Sequence, residues 1–126
     1  MKAGKAELKD YIYARGMDSV KDADFSAAKP YGKVMLGSGS IFWKKGLRWY
    51  CADFAQTVRI FRRIAEVNAK LCCGNSNFDI QMLVLVMFDG RELELIIGDS
   101  LLRHEAEALY AAVQAAHPEL HYGKPE

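Results

Sequence analysis

Residues 40–63 read SIFWKKGLRWYCADFAQTVRIFRR, and the alternation of side-chain type along this stretch decides the fold and its candidate surface. Aromatic and β-branched residues dominate it, and turn residues around Lys45-Gly46 and before Thr57 cut it into three strand-length runs. With a period of two, Phe42 and Lys44 share a face of the first run, Arg48 and Tyr50 a face of the second, and Arg59, Phe61 and Arg63 a face of the third. Their neighbours Ile41, Trp43, Leu47, Trp49, Cys51, Val58 and Ile60 are core types. If the registers agree, one sheet carries an outer patch of four cations (Lys44, Arg48, Arg59, Arg63) among three rings (Phe42, Tyr50, Phe61). Arg62 falls on the inner side and reads as a bulge or a strand end.

Similar texture extends on both sides. Gly32 to Leu36 leads through Gly37-Ser38-Gly39 into the quoted stretch, making two consecutive hairpins. Downstream, a short fifth strand is expected over Lys70 to Cys73, ahead of the turn-rich Gly74-Asn75-Ser76-Asn77. Residues 79–88 and 91–98 flank Asp89-Gly90, a dipeptide suited to a tight hairpin turn. In the last strand Leu93, Leu95 and Ile97 alternate with Glu92 and Glu94, so one face is buried and one is wet. The preceding strand is apolar on both faces.

Helix signals lie at the ends. Asp99 or Ser100 can cap a helix whose core stripe is Leu102, Ala106, Leu109, Val113 and Ala116, and Pro118 ends it. From Lys2 to Arg15, Leu8, Tyr11, Ile12 and Arg15 fall on one face, predicting a short amphipathic helix stopped at Gly16. Residues 17–31 read as a partly helical connector into Pro30, and Tyr122 to Glu126 as a frayed end.

Seven short strands followed by one long amphipathic helix resemble the pleckstrin-homology-like superfold, including its bacterial and GRAM-type members, over about residues 31–117. The run Ser40-Ile41-Phe42-Trp43-Lys44-Lys45-Gly46-Leu47-Arg48-Trp49-Tyr50 is similar to the second hairpin strand of such bacterial domains. The resemblance implies an α+β fold: a seven-stranded antiparallel barrel of two near-orthogonal sheets, capped by the C-terminal helix. Residues 1–30 would form an N-terminal helix and connector, and residues 31–126 the domain. Lipid-binding members carry a basic motif in the first hairpin, but Val34 to Trp43 holds no Lys or Arg. No phosphoinositide-binding residue is therefore carried over.

Composition bounds the remaining function classes. The chain has 126 residues, 51% of them apolar, and a net charge of +1, which removes any whole-molecule argument for nucleic acid or anionic membrane. The local balances are +2 over residues 1–43, +5 over 44–70 and −6 over 71–126. Met82 to Phe88, the longest apolar run, is seven residues, against roughly twenty for a membrane span. A charged N-terminus argues against an export signal, so a cytoplasmic protein is expected.

Three cysteines are an odd count, and adjacent cysteines such as Cys72 and Cys73 rarely bond to each other. A thiol nucleophile would need His104, His117 or His121 as its base, and no motif joins them to a cysteine. His117 and His121 are four apart, but Pro118 breaks the helix that would align them on a metal. Glu92 and Glu94 share a face, as a carboxylate pair would, yet solvated strand acids are the commoner explanation. Gly37-Ser38-Gly39 lacks the Lys-Ser/Thr of a phosphate loop.

The expected function is thus a non-catalytic interaction or assembly module without a cofactor. It binds a protein partner or itself through Phe42, Lys44, Arg48, Tyr50, Arg59, Phe61 and Arg63. A competing reading has the N-terminal helix, with Leu8, Tyr11, Ile12, Glu7 and Asp10, covering that face. A cysteine-based redox or thiol enzyme or sensor, and an anionic-ligand domain for nucleic acid or lipid, are the alternatives.

Overall fold

A computed structural model describes residues 4–71 and 74–123. The chain is α+β, with two mainly antiparallel sheets and two α-helices among the described residues. After β1 (Ile12–Tyr13) and α1 (Ser19–Ala27) comes a four-stranded meander: β2 (Lys29–Tyr31), β3 (Val34–Leu36), β4 (Ser40–Lys45) and β5 (Arg48–Asp53). A three-stranded meander follows, of β6 (Thr57–Leu71), β7 (Gly74–Met87) and β8 (Glu92–Asp99). α2 (Arg103–Ala116) and β9 (His121–Tyr122) complete the chain. Strand order is β1-β5-β4-β3-β2 in one sheet and β8-β7-β6-β9 in the other, so the sheets do not close into the expected seven-stranded barrel.

The main core lies between the sheets. Val34, Ile41, Trp43, Ala52 and Phe54 from the first sheet region meet Ile60, Leu83, Leu85, Leu93, Leu95 and Ile97 of the second. Ala106, Leu109 and Val113 of α2 complete it, in keeping with the stripe read from sequence, although Ala116 stays exposed. Asp99 Oδ1 accepts the Leu101 N–H at a 3-10 turn over Ser100–Leu102, whereas α2 itself begins after Leu102 without a side-chain cap, so the expected cap serves the preceding turn and not the helix. The turn at Asp89-Gly90 and the inward placement of Leu93, Leu95 and Ile97 also match the expectation.

The N-terminal region departs from its reading. Residues 8–11 form a single 3-10 turn, Ile12 and Tyr13 pair with Tyr50 and Trp49, and the helix lies instead over Ser19–Ala27. Pairing with β5 buries the Tyr13 ring, and that tertiary gain outweighs the helical spacing of Leu8, Tyr11 and Ile12. Asp18 starts α1 by accepting the Val20 and Lys21 N–H groups at 2.9 and 3.2 Å.

That helix covers the second face of the first sheet. Phe25 sits 5.0 Å from both Phe42 and Trp49 by ring centroids, and Tyr13 completes an aromatic cluster with Phe42 and Cys51. Tyr13 donates its hydroxyl to Asp22 at 2.6 Å, and burial together with that bond pushes its phenol up to about 12.

β6 and β7 pair without interruption from Arg59↔Val86 to Leu71↔Gly74, so Lys70 and Leu71 belong to β6 and not to a separate fifth strand, while Cys72 and Cys73 of that expected strand lie outside the described residues. The irregularity lies between Thr57 and Arg59, not at Arg62, whose Nη2 donates to Gln81 Oε1. Tyr122 is not frayed: β9 pairs parallel with β6, and the Tyr122 hydroxyl donates toward the Val113 and His117 carbonyls. Among the described residues no helix is long and apolar enough to cross a membrane.

Candidate docking surface

The seven residues expected on one face are divided twice, by a turn and by a change of sheet. Lys45 pairs with Arg48 across a two-residue turn, Gly46-Leu47, in which Gly46 takes φ +65° and Leu47 is 99% exposed. Directly opposed residues of an antiparallel pair share a face, so Phe42 goes with Cys51, Trp43 with Tyr50, and Lys44 with Trp49. A two-residue turn pairs even-numbered positions of β4 with odd-numbered positions of β5, so Arg48 and Tyr50 lie on the side opposite Phe42 and Lys44. Phe42 itself is fully buried under α1, so it is packing rather than surface.

Arg59, Phe61 and Arg63 do share a face, but in the other sheet. Phe61 is only 2% exposed, and the Arg63 guanidinium lies over its ring at 5.3 Å. Arg63 in turn bonds Glu94 through Nη1 and Glu92 through Nη2 at 3.2 Å. Arg59 donates to the Gly123 carbonyl at 3.0 Å. Coverage by the chain's own residues therefore applies to this half. The N-terminus contributes not with a helix but as an extended segment: Glu92 N–H donates to Gly4 O, Ala6 N–H donates to Glu92 O, and Lys5 pairs with Glu94 at 3.0 Å.

Burial would raise the Glu94 carboxyl, but hydrogen bonds from Lys5 and Arg63 outweigh it and hold the group below its ordinary value. A depressed folded value stabilises the protein above the unfolded carboxyl's pKa and is lost as pH falls through the folded one. Glu94→Gln should cost about 1 kcal/mol at neutral pH and flatten the loss of stability below roughly pH 4.5. Urea titrations between pH 3 and 7 read this directly. An unchanged acid slope would mean that the Lys5–Glu94–Arg63 group adds nothing.

Two of the expected cations remain on a free surface, joined by two that the alternation missed. Alternate turns of an antiparallel meander fall at the same end of the sheet, so Gly32-Lys33 after β2 lies beside the Lys45-to-Arg48 turn after β4. Lys33, Lys44, Met35, Trp49, Gly32 and Gly46 line an open groove of about 360 Å³ there. A smaller cleft behind it adds Lys45, Trp43 and Ile96, together with Glu94, which is already paired with Lys5 and Arg63. Among the described residues, Lys33, Lys44, Lys45 and Arg48 have no carboxylate partner within 4 Å. Lys33 and Lys45 could have been found from the pairing of Lys with Gly at two alternate turns.

Among the described residues, the thiol and imidazole groups considered for catalysis are Cys51 and the histidines. Burial pushes the Cys51 thiol up to about 11, which keeps it protonated at neutral pH and a poor nucleophile. Cys72 and Cys73 lie outside the described residues. His117 rests on the Phe54 ring at 4.2 Å and donates from Nε2 to the Ser38 carbonyl, a packing role. Among the described residues no group of three or more His, Cys, Asp and Glu is placed to hold a metal. Comparison with protein-family models, curated proteins and solved structures returns no match.

Proposed function

We propose that the protein is a cytoplasmic, non-catalytic interaction module that captures an acidic protein segment in the groove between the β2–β3 and β4–β5 turns. The order of a four-stranded meander, a three-stranded meander and a C-terminal helix supports a pleckstrin-homology-like relationship over residues 31–117. The observation that carries the binding role is that Lys33 and Lys44, with no carboxylate partner within 4 Å among the described residues, line the groove beside Met35 and Trp49. Lys45 and Arg48 oppose each other on the other face of the same turn and add to the positive field at this end of the sheet. Met35 and Trp49 supply apolar contact of the kind enriched in protein interfaces, which favours a peptide over a bare anion.

The probe is a fluorescein-labelled decaglutamate peptide bearing one central Leu, titrated at low salt and read by anisotropy. Lys33→Glu and Lys44→Glu should each weaken binding about tenfold, and Arg48→Glu, on the other face of the turn, should weaken it less, with thermal stability retained. Raising the salt should weaken it further. Absence of binding at low salt would overturn the proposal. So would reversal variants that bind as well as the parent, or tighter binding to phosphatidylserine vesicles or single-stranded DNA.

A further inference from the structure

We infer that β6 is a self-pairing edge, through which a second copy of this chain adds its own β6 antiparallel to form one continuous sheet. This surface is separate from the groove. β7 occupies one side of β6 along its length, whereas on the other side β9 covers only Arg59 and Ile60. From Phe61 to Leu71 that outer edge has no strand partner among the described residues. The six pairs from Glu66↔Asp79 to Leu71↔Gly74 also lie beyond the reach of β8, whose last partner on β7 is Ile80. A two-stranded ribbon alone is marginally stable in water, and a long open edge is a template for another strand. Proline, a usual block to such pairing, is absent from Thr57–Leu71, as is glycine.

Backbone direction restricts how two copies can meet. Gly123 N–H donates to the Ile60 carbonyl, so the polar backbone groups of Ile60 point to the outer edge. Pairing with β7 is unbroken beyond this point, so Arg62, Ile64, Glu66, Asn68 and Lys70 point the same way by strand alternation. β9 already fills the position beside Ile60, which removes every register that lays a second β6 there. Among those left, centring the two-fold axis on Glu66 opposes Glu66 to itself and Arg62 to Lys70. Centring it on Lys70 opposes Lys70 to itself. Axes at residues 67 and 69 set no charge against another.

Only the register centred on Asn68 places opposite charges across the join. In that register the position of Glu66 is opposite that of Lys70 in the second copy and the position of Lys70 opposite its Glu66, with positions 67 and 69, and 65 and 71, opposed in the same way. Every one of these residues serves twice, as a two-fold interface requires. The neighbouring edge over Gly74–Asp79 carries one charge, Asp79, and encodes no comparable register.

The experiment is the mass of the full chain in solution by light scattering and sedimentation, from about 1 to 200 µM. A mass rising to twice 14.2 kDa is expected. Lys70→Glu should raise the dissociation constant at least about tenfold by opposing two acids, and the double exchange Glu66→Lys with Lys70→Glu should restore the dimer. Asn68→Pro removes only an outward N–H and should give a folded monomer by circular dichroism. A parent chain that stays monomeric at 200 µM overturns the inference, as does a dimer indifferent to Lys70→Glu or a double exchange that fails to restore it.

Discussion

Replacing Phe42 with alanine should destabilise the protein by about 3–5 kcal/mol, a large share of the stability of a domain this size. Phe42 is fully buried, and its ring lies 5.2 Å from Tyr13 and 5.0 Å from Phe25. Truncation removes the transfer energy of the ring and leaves a cavity between two aromatic groups that hydrogen bonds hold in place. Tyr13 is tied to Asp22, and α1 is tied to the β3–β4 turn because Asp24 accepts the Ser38 and Gly39 N–H groups. Collapse into the cavity is therefore limited, which places the cost in the upper part of the range. Urea unfolding followed by tryptophan fluorescence measures it. A loss below about 1 kcal/mol would instead mark Phe42 as a surface residue, the position that simple alternation assigns to it.

Gly32→Val should be comparably severe, at about 3 kcal/mol or more. Gly32 takes φ +61°, a region that costs a β-branched residue roughly 1–2 kcal/mol before any contact is counted. A Cβ at this position would stand 2.5 Å from the Ile97 carbonyl oxygen, which is backbone and cannot swing aside. That carbonyl accepts the Lys33 N–H at 2.9 Å, a direct link between the two sheets. Displacing it loosens the β2–β3 turn and with it one wall of the basic groove. Gly46→Ala is the control, since φ is +65° there but nothing lies within 4 Å of the added carbon. It should cost only about 1 kcal/mol. Equal losses at the two glycines would show that the close approach to Ile97 is unimportant.

The expected patch failed for a specific reason. Both faces of β4 and β5 are apolar enough to be buried: Ile41 and Trp43 against the main core, Phe42 and Cys51 under α1. Period-two reading says which residues share a face along one strand, but the relation between strands depends on turn length. The two-residue turn Gly46-Leu47 separated Arg48 and Tyr50 from Phe42 and Lys44, which only a loop of odd length would have put on one face. Arg59, Phe61 and Arg63 alternate as read, yet no local signal shows that Glu92 and Glu94 come from two strands away to neutralise Arg63.

Strand-forming texture, the Asp89-Gly90 hairpin, the inward side of β8 and the C-terminal helix were all determined by residues close in sequence, because turn chemistry and side-chain period act locally. The tertiary structure alone decided that Tyr13 extends rather than coils, that α1 seals the outer side of β4 and β5, and that Lys33 joins Lys44, Lys45 and Arg48 at one sheet end. Each of these depends on which surfaces meet across the fold, and burial free energy is gained only when distant segments come into contact.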